Sequence, residues 1–487
     1  MHNAADRGSF VGGAWVPVGA PEGEIVRGAP HDLDLSLPVF AWHRDHVDRA
    51  VEAARRAFPA WDALGLAGRR AVLLRVRDAL RDAEDDLAAL VTAETGKVAR
   101  EARVEAKALV AKVDITLGEG LGLVQDTAVD ARMGWRWRPH GVLAVLGPFN
   151  FPLHLPHGHV APALLMGNTV VMKPSEVAPG CGQLYAEVLA AAGVPEGVFN
   201  LVQGEGSVGA RLGAHPDVDG VLFTGSYAVG TRLLAANAAS PGRLLALELG
   251  GKNAALVLDD AHFDKALDDI VQSAFATTGQ RCSCASRLIV TRGIAERFLD
   301  ALARRVASLR VGHPLDPAAF CGPLASPAAL ARFEALQRAA DAEGSAVLGE
   351  APSSAVQWEG RALRGCYAAP RLRRVVRRDG QSAYQRDELF GPDLAAYVVN
   401  DLDEAVALAN DTAYGLCAGV WTADAAAFES AARRLRVGAL THNAPTVGAS
   451  SRLPFGGVGR SGNHRPAGVF SALYCAYPMS VTRGADA

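Results

Sequence analysis

The chain has 487 residues, more than the ~250–300 residues at which a single hydrophobic core stops growing, so two or more domains are expected. Its formal net charge of -3, with 21% charged residues, argues against a nucleic-acid partner. No apolar run approaches the ~20 residues that span a bilayer, and the first residues lack the features of a signal peptide, which predicts a cytoplasmic protein without a membrane partner.

In chain order, residues 43–117 place apolar side chains at i, i+3, i+4 and i+7, which predicts amphipathic helices; Gly96 is a plausible stop signal. Residues 127–140 alternate with the two-residue period of a strand. Further on, short apolar runs alternate with helical segments, which predicts a parallel sheet of βαβ units. A second block of this kind opens at residues 244–260. The glycine-rich stretch 453–468 predicts an ordered loop before a closing strand.

The stretch GQRCSCASRL holds Cys282 and Cys284 one residue apart. Structural zinc takes four ligands, commonly from C-x2-4-C spacings, and redox pairs use C-x-x-C; neither spacing occurs here. The histidines His154, His157 and His159 lie between prolines, in what we expect to be a loop. No metal site is predicted. The residues alone leave a single nucleophilic cysteine or a buried packing residue as the alternatives.

Two features involve arginine. Arg281 precedes Cys282, and a neighbouring positive charge lowers the pKa of a thiol, which favours reactivity. The run RLRRVVRR at residues 371–378 predicts a solvated strand face rather than a nucleic-acid surface, because the whole protein is slightly acidic.

Polar and aromatic residues flank several predicted strands. They lie in VLGPFNFP with Asn150, MKPSE with Lys173 and Glu176, LFTGSYAVG with Gly225 and Ser226, ALELGGKN with Glu248, ELFGP with Glu388 and Phe390, and LPFGG with Phe455. In this order, and together with Cys282, these motifs resemble the aldehyde dehydrogenase superfamily over about residues 40–480. The resemblance implies an α/β fold of two Rossmann-type domains with a small β oligomerisation arm.

The resemblance also implies how the chain divides. Residues 1–247 would hold the N-terminal helices and the NAD-binding domain, interrupted by arm strands at 124–140. Residues 248–445 would form the catalytic domain, and residues 446–487 an anchor loop and a return to the NAD domain and the arm. An exposed arm needs a pairing partner, so a homodimer or homotetramer is expected.

By resemblance, Cys282 is the nucleophile that attacks the aldehyde carbon to give a thiohemiacetal. Asn150 donates to the oxyanion with the backbone N–H of Cys282, and Glu248 activates the water that hydrolyses the thioester. Taken alone, Asn150 could be a turn-forming asparagine and Glu248 a capping or salt-bridged carboxylate. Family members that pass the acyl group to coenzyme A generally lack this glutamate, so Glu248 favours hydrolysis.

The cofactor residues also follow from the resemblance. They are Lys173 and Glu176 at the adenosine ribose, Gly225 and Ser226 at the pyrophosphate, and Glu388 with Phe390 at the nicotinamide ribose. The Gly225–Ser226 turn departs from the G-x-G-x-x-G fingerprint, a departure that the family shares, and leads into a helix N-terminus suited to phosphate. A carboxylate at Glu176 would bond the ribose hydroxyls and repel a 2′-phosphate, which favours NAD over NADP.

The finer pattern resembles a subfamily that oxidises N-succinylglutamate 5-semialdehyde in arginine catabolism. Cys284 and the SGNHRP stretch carry this resemblance, while Leu153, Ser283 and Ser286 depart from the usual residues. The rival hypotheses are a dehydrogenase for another small or acidic semialdehyde, a coenzyme A-acylating enzyme, and a non-catalytic family member.

An acidic semialdehyde needs a carboxylate site. The candidate residues are the backbone N–H groups of Gly448, Ala449 and Ser450, the opposing Ser283, and Phe455 nearby. The alternative interpretation of this segment is a flexible glycine-serine loop.

Overall fold

The computed structural model describes residues 6–484; residues 1–5 and 485–487, the outermost parts of the predicted domain spans, lie outside the described residues. The chain begins with short strands, which are β1 (Ser9–Val11), β2 (Ala14–Val16), β3 (Gly23–Ile25), β4 (Gly28–Ala29), β5 (Asp32–Ser36) and β6 (Phe40–Trp42). The predicted helical region follows as four helices. They are α1 (His46–Ala63), α2 (Gly65–Asp82), α3 (Glu84–Thr95) and α4 (Ala99–Ile115). Gly96 ends α3 at φ +72°, a left-handed conformation that favours glycine, so the predicted stop is confirmed.

The next segment carries two arm strands and then a five-stranded βαβ series. Its elements are β7 (Thr127–Ala128), β8 (Met133–Pro139), β9 (Val142–Leu146), α5 (His154–Leu165), β10 (Thr169–Lys173), α6 (Pro179–Ala191), β11 (Phe199–Leu201), α7 (Gly206–Ala214), β12 (Gly220–Thr224), α8 (Tyr227–Ala236) and β13 (Leu244–Glu248). The first sheet has the strand order β13-β12-β9-β10-β11-β1-β2. Strands β9 to β13 pair in parallel, and the β1–β2 hairpin adds antiparallel at the β11 edge.

The two faces of the first sheet pack into separate hydrophobic clusters. Leu143 and Val145 of β9 join α2 to α6 in one cluster, whereas Val142, Ala144 and Leu146 join α1, α7 and α8 in the other. This alternation along one strand is the two-residue period of a sheet that is covered on both sides. The first block is therefore a doubly wound α/β sheet.

A second sheet follows. Its segment comprises β14 (Asn253–Val257), α9 (Phe263–Phe275), β15 (Ala285–Thr291), α10 (Arg292–Ala307), α11 (Pro327–Ala342), β16 (Ala346–Val347), β17 (Gln357–Trp358), β18 (Arg361–Ala362), β19 (Arg371–Arg374), α12 (Ala383–Arg386), β20 (Asp393–Val399), α13 (Leu402–Asn410), β21 (Cys417–Trp421), α14 (Ala425–Arg434) and β22 (Ala439–His442). The strand order is β16-β19-β20-β15-β14-β21-β22, and only β16 pairs antiparallel. The α/β fold class is confirmed.

The chain closes with β23 (Pro454–Phe455), β24 (Ala467–Gly468), α15 (Ser471–Tyr474) and β25 (Ala476–Thr482). Strand β25 pairs antiparallel with β8 from Ala476 opposite Pro139 to Thr482 opposite Met133, and β7 lines the other edge of β8. Strands β25, β8 and β7 thus form one three-stranded sheet. The role of this small sheet in oligomerisation and the domain boundaries stay predictions. No helix within residues 6–484 is long and apolar enough to cross a membrane.

The expectation of a loop at the histidine cluster is wrong, because these residues begin α5. Pro156 lies in the first turn, where a helix tolerates proline because the N–H there lacks an intrahelical partner. His157 bonds the Tyr185 hydroxyl at 2.8 Å, and His159 bonds the Tyr474 hydroxyl at 2.6 Å. Burial lowers the pKa of His157 and of His159 to about 3. Both are neutral, hydrogen-bonded core residues.

The expected solvated face at residues 371–378 is wrong for one arginine. Arg373 and Asp393 are both fully buried, with Nε and Oδ2 3.4 Å apart. Arg373 also donates to Gln337 Oε1 at 2.8 Å and 3.0 Å and to Asp341 Oδ1 at 2.6 Å. Asp393 starts β20, the parallel neighbour of β19, so pairing of the two strands brings the charges together.

Replacing Arg373 with Met is expected to lower the melting temperature strongly, because Asp393 would remain buried without its cation. Breaking one side of a buried ion pair costs about 3–5 kcal/mol. The matched control is Arg374→Met, whose partner Glu296 is exposed, so its melting temperature should change little. Calorimetry of both variants measures the difference, and equal shifts would contradict the assignment of Arg373.

Candidate active site

The predicted site residues of the first sheet lie just beyond the carboxyl ends of its parallel strands. Asn150 follows β9, Lys173 ends β10, Ser226 follows β12, and Glu248 ends β13. The strand order reverses at β9, since β10 and β11 lie on one side of it and β12 and β13 on the other. Ligands of open α/β sheets bind at such a switch point, outside the carboxyl ends.

The second sheet contributes residues from the amino ends of its strands. Cys282 comes shortly before β15, Phe390 shortly before β20, and Asn253 opens β14. Two hydrogen bonds join the edges of the sheets: Asn150 Nδ2 donates to the Gln280 carbonyl at 3.0 Å, and Gly251 N donates to Glu388 Oε1 at 3.0 Å. The structure therefore brings together candidates from both sheets.

The backbone around Cys282 is fixed by Asn253, a residue that the sequence analysis did not single out. Its buried side chain donates from Nδ2 to the carbonyls of Cys282 and Cys284, at 2.6 Å and 2.9 Å. Its Oδ1 accepts from Cys417 N at 3.0 Å. An asparagine at the start of a fully buried strand was the available signal, since a buried amide must find partners.

Cys282 is the candidate nucleophile and is partly exposed, whereas the other free cysteines are buried. Burial raises the pKa of the Cys282 thiol well above its usual value, and the nearby carboxyl groups of Glu248 and Glu388 raise it further. Arg281 does not provide the expected lowering; its guanidinium bonds the Thr277 hydroxyl at 2.7 Å. At rest the sulfur carries its proton, so activation needs a base.

Glu248 is fully buried, and neither carboxyl oxygen has a hydrogen-bond partner within the described part of the chain. Burial raises the pKa of Glu248 well above its usual value, and Arg465 opposes this only in part. The predicted alternative of a capping or salt-bridged carboxylate is wrong, because both oxygens lack such partners. An unpartnered buried acid is suited to exchanging a proton with a bound water or substrate.

Asn150 is buried and holds its amide toward the nucleophile loop. One N–H of Nδ2 is used on the Gln280 carbonyl, and an amide nitrogen has two. The Asn150 carbonyl accepts from Lys97 Nζ at 2.6 Å, which fixes the backbone beneath the side chain. The second N–H is thus the candidate donor to an oxyanion.

The predicted ribose residues Lys173 and Glu176 are in contact, with Nζ and Oε2 3.2 Å apart. Lys173 also donates to the Gly204 carbonyl at 2.8 Å and is buried, while the Glu176 side chain is about half exposed. Ser226 caps α8, where its Oγ accepts from Val229 N at 3.3 Å. These residues offer an accessible carboxylate and a helix N-terminus, which fit a ribose hydroxyl pair and a pyrophosphate.

The turn before α8 is narrow, because a Cβ at Gly225 would lie 2.4 Å from the Phe223 ring.

At the second sheet, burial raises the pKa of Glu388 to about 7, and a Cβ at Gly250 would lie 2.1 Å from the Oε2 atom of Glu388. Phe390 adopts φ +54°, and its ring meets the Phe149 ring edge to face with centroids 5.8 Å apart. Phe149 extends the site beyond the predicted set.

The predicted substrate residues meet only in part. Thr446 Oγ1 donates to the carbonyl of buried Ser283 at 2.8 Å, which fastens the loop beside the nucleophile. Gly448, Ala449 and Ser450 are exposed; Ser450 Oγ accepts from Arg452 N at 3.2 Å. Phe455 lies in β23 and pairs with Ala467.

Arg452 adds a charge that the sequence analysis missed. Its guanidinium is largely exposed and lies 2.5 Å from Glu119, in the short π-helix that continues α4. The sequence signal for this charge was a basic residue two positions after Ser450.

Among residues 6–484, no group of three or more His, Cys, Asp or Glu side chains could hold a metal ion.

Comparison with known proteins shows the family to which this fold belongs. A profile of the aldehyde dehydrogenase family matches residues 21–478. The N-succinylglutamate 5-semialdehyde dehydrogenase of Burkholderia mallei (strain SAVP1) is 43% identical over 450 residues, which cover 91% of this chain and 90% of the relative.

Two solved structures resemble the fold closely. A mutant of aldehyde dehydrogenase C from Pseudomonas syringae, in complex with NAD+ and octanal, is 32% identical, with a TM-score of 0.91 over 99% of this chain and 97% of that one. An NAD-dependent aldehyde dehydrogenase from Sinorhizobium meliloti is 30% identical, with a TM-score of 0.91 over 99% of this chain and 95% of that one. The chain belongs to the aldehyde dehydrogenase family.

Replacing Glu248 with Gln keeps the shape of the side chain and removes its titration. Loss of a general base is expected to lower kcat by about 10²–10⁴-fold. Because the folded-state pKa is raised, Glu248 favours the folded protein at acidic pH, and this contribution is lost as pH rises through the folded pKa. The melting temperature of the variant relative to the parent should therefore increase with pH.

Steady-state kinetics and melting curves at mildly acidic and alkaline pH measure both effects. Glu52→Gln, in an exposed pair with Arg56, is the control and should change neither. Parallel pH dependences of melting in the variant and the parent would show that Glu248 does not titrate abnormally.

Proposed function

We propose that the chain oxidises an aldehyde to a carboxylic acid with NAD as the hydride acceptor, through a thioester on Cys282. The observation that carries the proposal is the buried carboxyl of Glu248, which has no hydrogen-bond partner among residues 6–484 and lies at the edge that faces the partly exposed Cys282. Asn150 supports it with one amide N–H beyond its bond to the Gln280 carbonyl.

The residues divide the reaction as follows. A base takes the Cys282 proton, and the thiolate attacks the aldehyde carbon to give a tetrahedral alkoxide. Asn150 Nδ2 and the backbone N–H of Cys282 donate to that oxygen, and removal of one such donor costs roughly 3–4 kcal/mol of transition-state stabilisation. Collapse of the alkoxide expels a hydride and leaves the thioester. Water then adds as Glu248 takes its proton, and the acid departs with return of the thiol.

The residues at the carboxyl edge of the first sheet fit NAD, which would supply the hydride acceptor when bound. The carboxylate of Glu176 is accessible beside Lys173, where it would accept from both ribose hydroxyls. The same carboxylate would repel a 2′-phosphate, so we propose a preference for NAD over NADP. Glu388 and Phe390 would lie at the nicotinamide ribose.

For the substrate we propose N-succinylglutamate 5-semialdehyde, the aldehyde in the name of the Burkholderia mallei relative. The segment 446–452 supports an acidic substrate, because it presents backbone N–H groups and the exposed guanidinium of Arg452 beside the Ser283 backbone. Glu248 supports hydrolysis of the thioester rather than transfer to coenzyme A.

Turnover of an aldehyde panel tests the function. The purified protein is assayed by NADH formation with N-succinylglutamate, glutamate and succinate semialdehydes and with neutral aldehydes, in each case with NAD or NADP and without coenzyme A. We expect kcat/KM for the first aldehyde with NAD to exceed the others by at least about tenfold. Cys282→Ser should abolish turnover while leaving NAD binding in place.

Two outcomes would contradict the proposal. Turnover only when coenzyme A is present would replace hydrolysis with acyl transfer. NAD binding without turnover of any aldehyde would favour a non-catalytic family member.

Ser450→Ala tests the carboxylate site separately. Loss of the hydroxyl removes the bond from Arg452 N and loosens the loop, so KM should rise for acidic aldehydes more than for neutral ones. Arg452→Gln should act in the same direction, with a dependence on ionic strength because it removes a charge. Equal changes in KM for acidic and neutral aldehydes would separate this loop from substrate recognition.

A further inference from the structure

The backbone just before Cys282 is strained. Thr277 and Thr278 adopt φ +52° and +55° with ψ near +36°, and Gly279 follows at φ +71°. The left-handed region is unfavourable for any residue with a side chain, and most so for β-branched threonine. We call residues 277–279 the left-handed turn. Such a turn persists only where surrounding groups hold it.

Glu101 of α4 holds this turn. Its Oε1 accepts from Thr277 N at 3.2 Å, and its Oε2 accepts from the Thr277 hydroxyl at 2.6 Å. Arg281 completes the contact: its Nε donates to Thr277 Oγ1 at 2.7 Å, and its guanidinium lies 3.8 Å from Glu101. One carboxylate thus bonds the backbone and the side chain of the same strained residue.

Glu105, one helical turn further along α4, holds the other side of the site. Its Oε1 accepts from Leu153 N at 3.0 Å and from His154 N at 3.1 Å, where α5 begins. Its other oxygen is paired with Lys97, whose Nζ donates to the Asn150 carbonyl at 2.6 Å. The Lys97 and Glu105 side chains are essentially fully buried.

Residues four apart lie on the same face of a helix, so α4 presents both carboxylates toward the facing edges of the two sheets. The loops that they hold are also bonded to each other, since Asn150 Nδ2 donates to the Gln280 carbonyl. We propose that Glu101 and Glu105 are positioning residues that together fix the separation between the Asn150 amide and Cys282. This inference rests on the proposed roles of Asn150 and Cys282.

The first experiment removes the restraint and then the strain. Glu101→Ala is expected to lower kcat by about tenfold or more, because small misplacements of reacting groups are costly, while the Kd of NAD stays within about twofold. Glycine adopts the left-handed region without cost. Thr277→Gly in the Glu101→Ala background should therefore restore most of the lost kcat, which a merely structural role for Glu101 would not predict.

Asp114→Ala is the matched control, because Asp114 lies on the same helix and pairs with Arg77 at the surface. Its kcat should stay within about twofold of the parent, as for other surface substitutions. Folded Glu101→Ala protein with parental kcat, or a loss of kcat that Thr277→Gly does not restore, would overturn the proposal for Glu101.

The second experiment concerns Glu105. The double variant Lys97→Met/Glu105→Gln removes both charges together, which avoids leaving one buried charge unpaired. We expect a folded protein in which single-turnover hydride transfer slows by about tenfold and NAD binding is retained. A single-turnover rate equal to that of the parent would overturn the proposal for Glu105.

A readout without aldehyde separates this inference from the proposed reaction. The rate at which iodoacetamide alkylates Cys282, followed by peptide mass spectrometry, reports how firmly the left-handed turn holds this residue in place. Glu101→Ala should alkylate several-fold faster than the parent, and Thr277→Gly in that background should return the rate toward the parent. If the parent oxidises no aldehyde but this pattern holds, the proposed function fails while the positioning role stands; an unchanged alkylation rate overturns the role itself.

Discussion

Four residues, 249–252, connect the last strand of the first sheet to the first strand of the second. We call them the crossing, and the position of the candidate site residues depends on it. It turns the carboxyl edge of one sheet toward the amino edge of the other. Glycine makes the approach possible, since a Cβ at Gly250 would lie 2.1 Å from Glu388 Oε2. Glu248 and Asn253 stand at the two ends of the crossing, so one presents its carboxyl group at the junction while the other holds the nucleophile loop.

The facing edges of the two sheets are largely buried, and no cation within residues 6–484 is among the main influences on the pKa of the candidate nucleophile Cys282. The sequence has six lysines, and four of them are buried with Nζ bonded to backbone carbonyls. The bonds run from Lys97 to Asn150, from Lys112 to Gly468, from Lys173 to Gly204 and from Lys252 to Tyr384. These lysines stabilise the backbone of loops and do not lower the pKa of the Cys282 thiol. Burial therefore raises the pKa of both Cys282 and Glu248, and proton transfer becomes part of activation.

Much of the fold could be predicted from the sequence because its strands and helices follow local rules, whereas the candidate site residues were predicted from the resemblance to a known family. The parallel strands of the first sheet are mostly apolar runs, and the motif residues stand at or just beyond their carboxyl ends, where ligands of such sheets bind. The helix at His154 could not be predicted, because its prolines are typical of a loop until Pro156 is placed in the first turn. Arg373 was misjudged for another reason: its partner Asp393 is distant in sequence and becomes adjacent only when β19 and β20 pair.

The hydrogen bonds from Glu101 and Glu105 to the loops around Cys282 and Asn150 could not be predicted from the sequence for a similar reason. Glu101 reaches Thr277 across 176 positions, and a carboxylate on an amphipathic helix is typical of a solvated face. Nothing local distinguishes Glu101 or Glu105 from Asp114, which does lie at the surface. Only the strained turn would indicate a restraint, and left-handed threonines are not predictable from composition. Prediction from the sequence therefore worked best for elements defined by local patterns, and it failed for contacts between segments that are far apart in the sequence.

Buried and exposed contacts also differ along the loop that we propose for substrate recognition. The anchor loop contacts the nucleophile segment through Thr446, which is buried and bonded to the Ser283 carbonyl. Beyond this point residues 448–450 are exposed, and the Arg452 guanidinium pairs at the surface with Glu119. Changes there would alter the charge and shape of the loop that we propose for substrate recognition, yet leave Asn253, Glu101 and the crossing untouched. The buried contact of Thr446 with Ser283 therefore belongs to the surroundings of Cys282, whereas the exposed residues beyond it can vary without disturbing that contact.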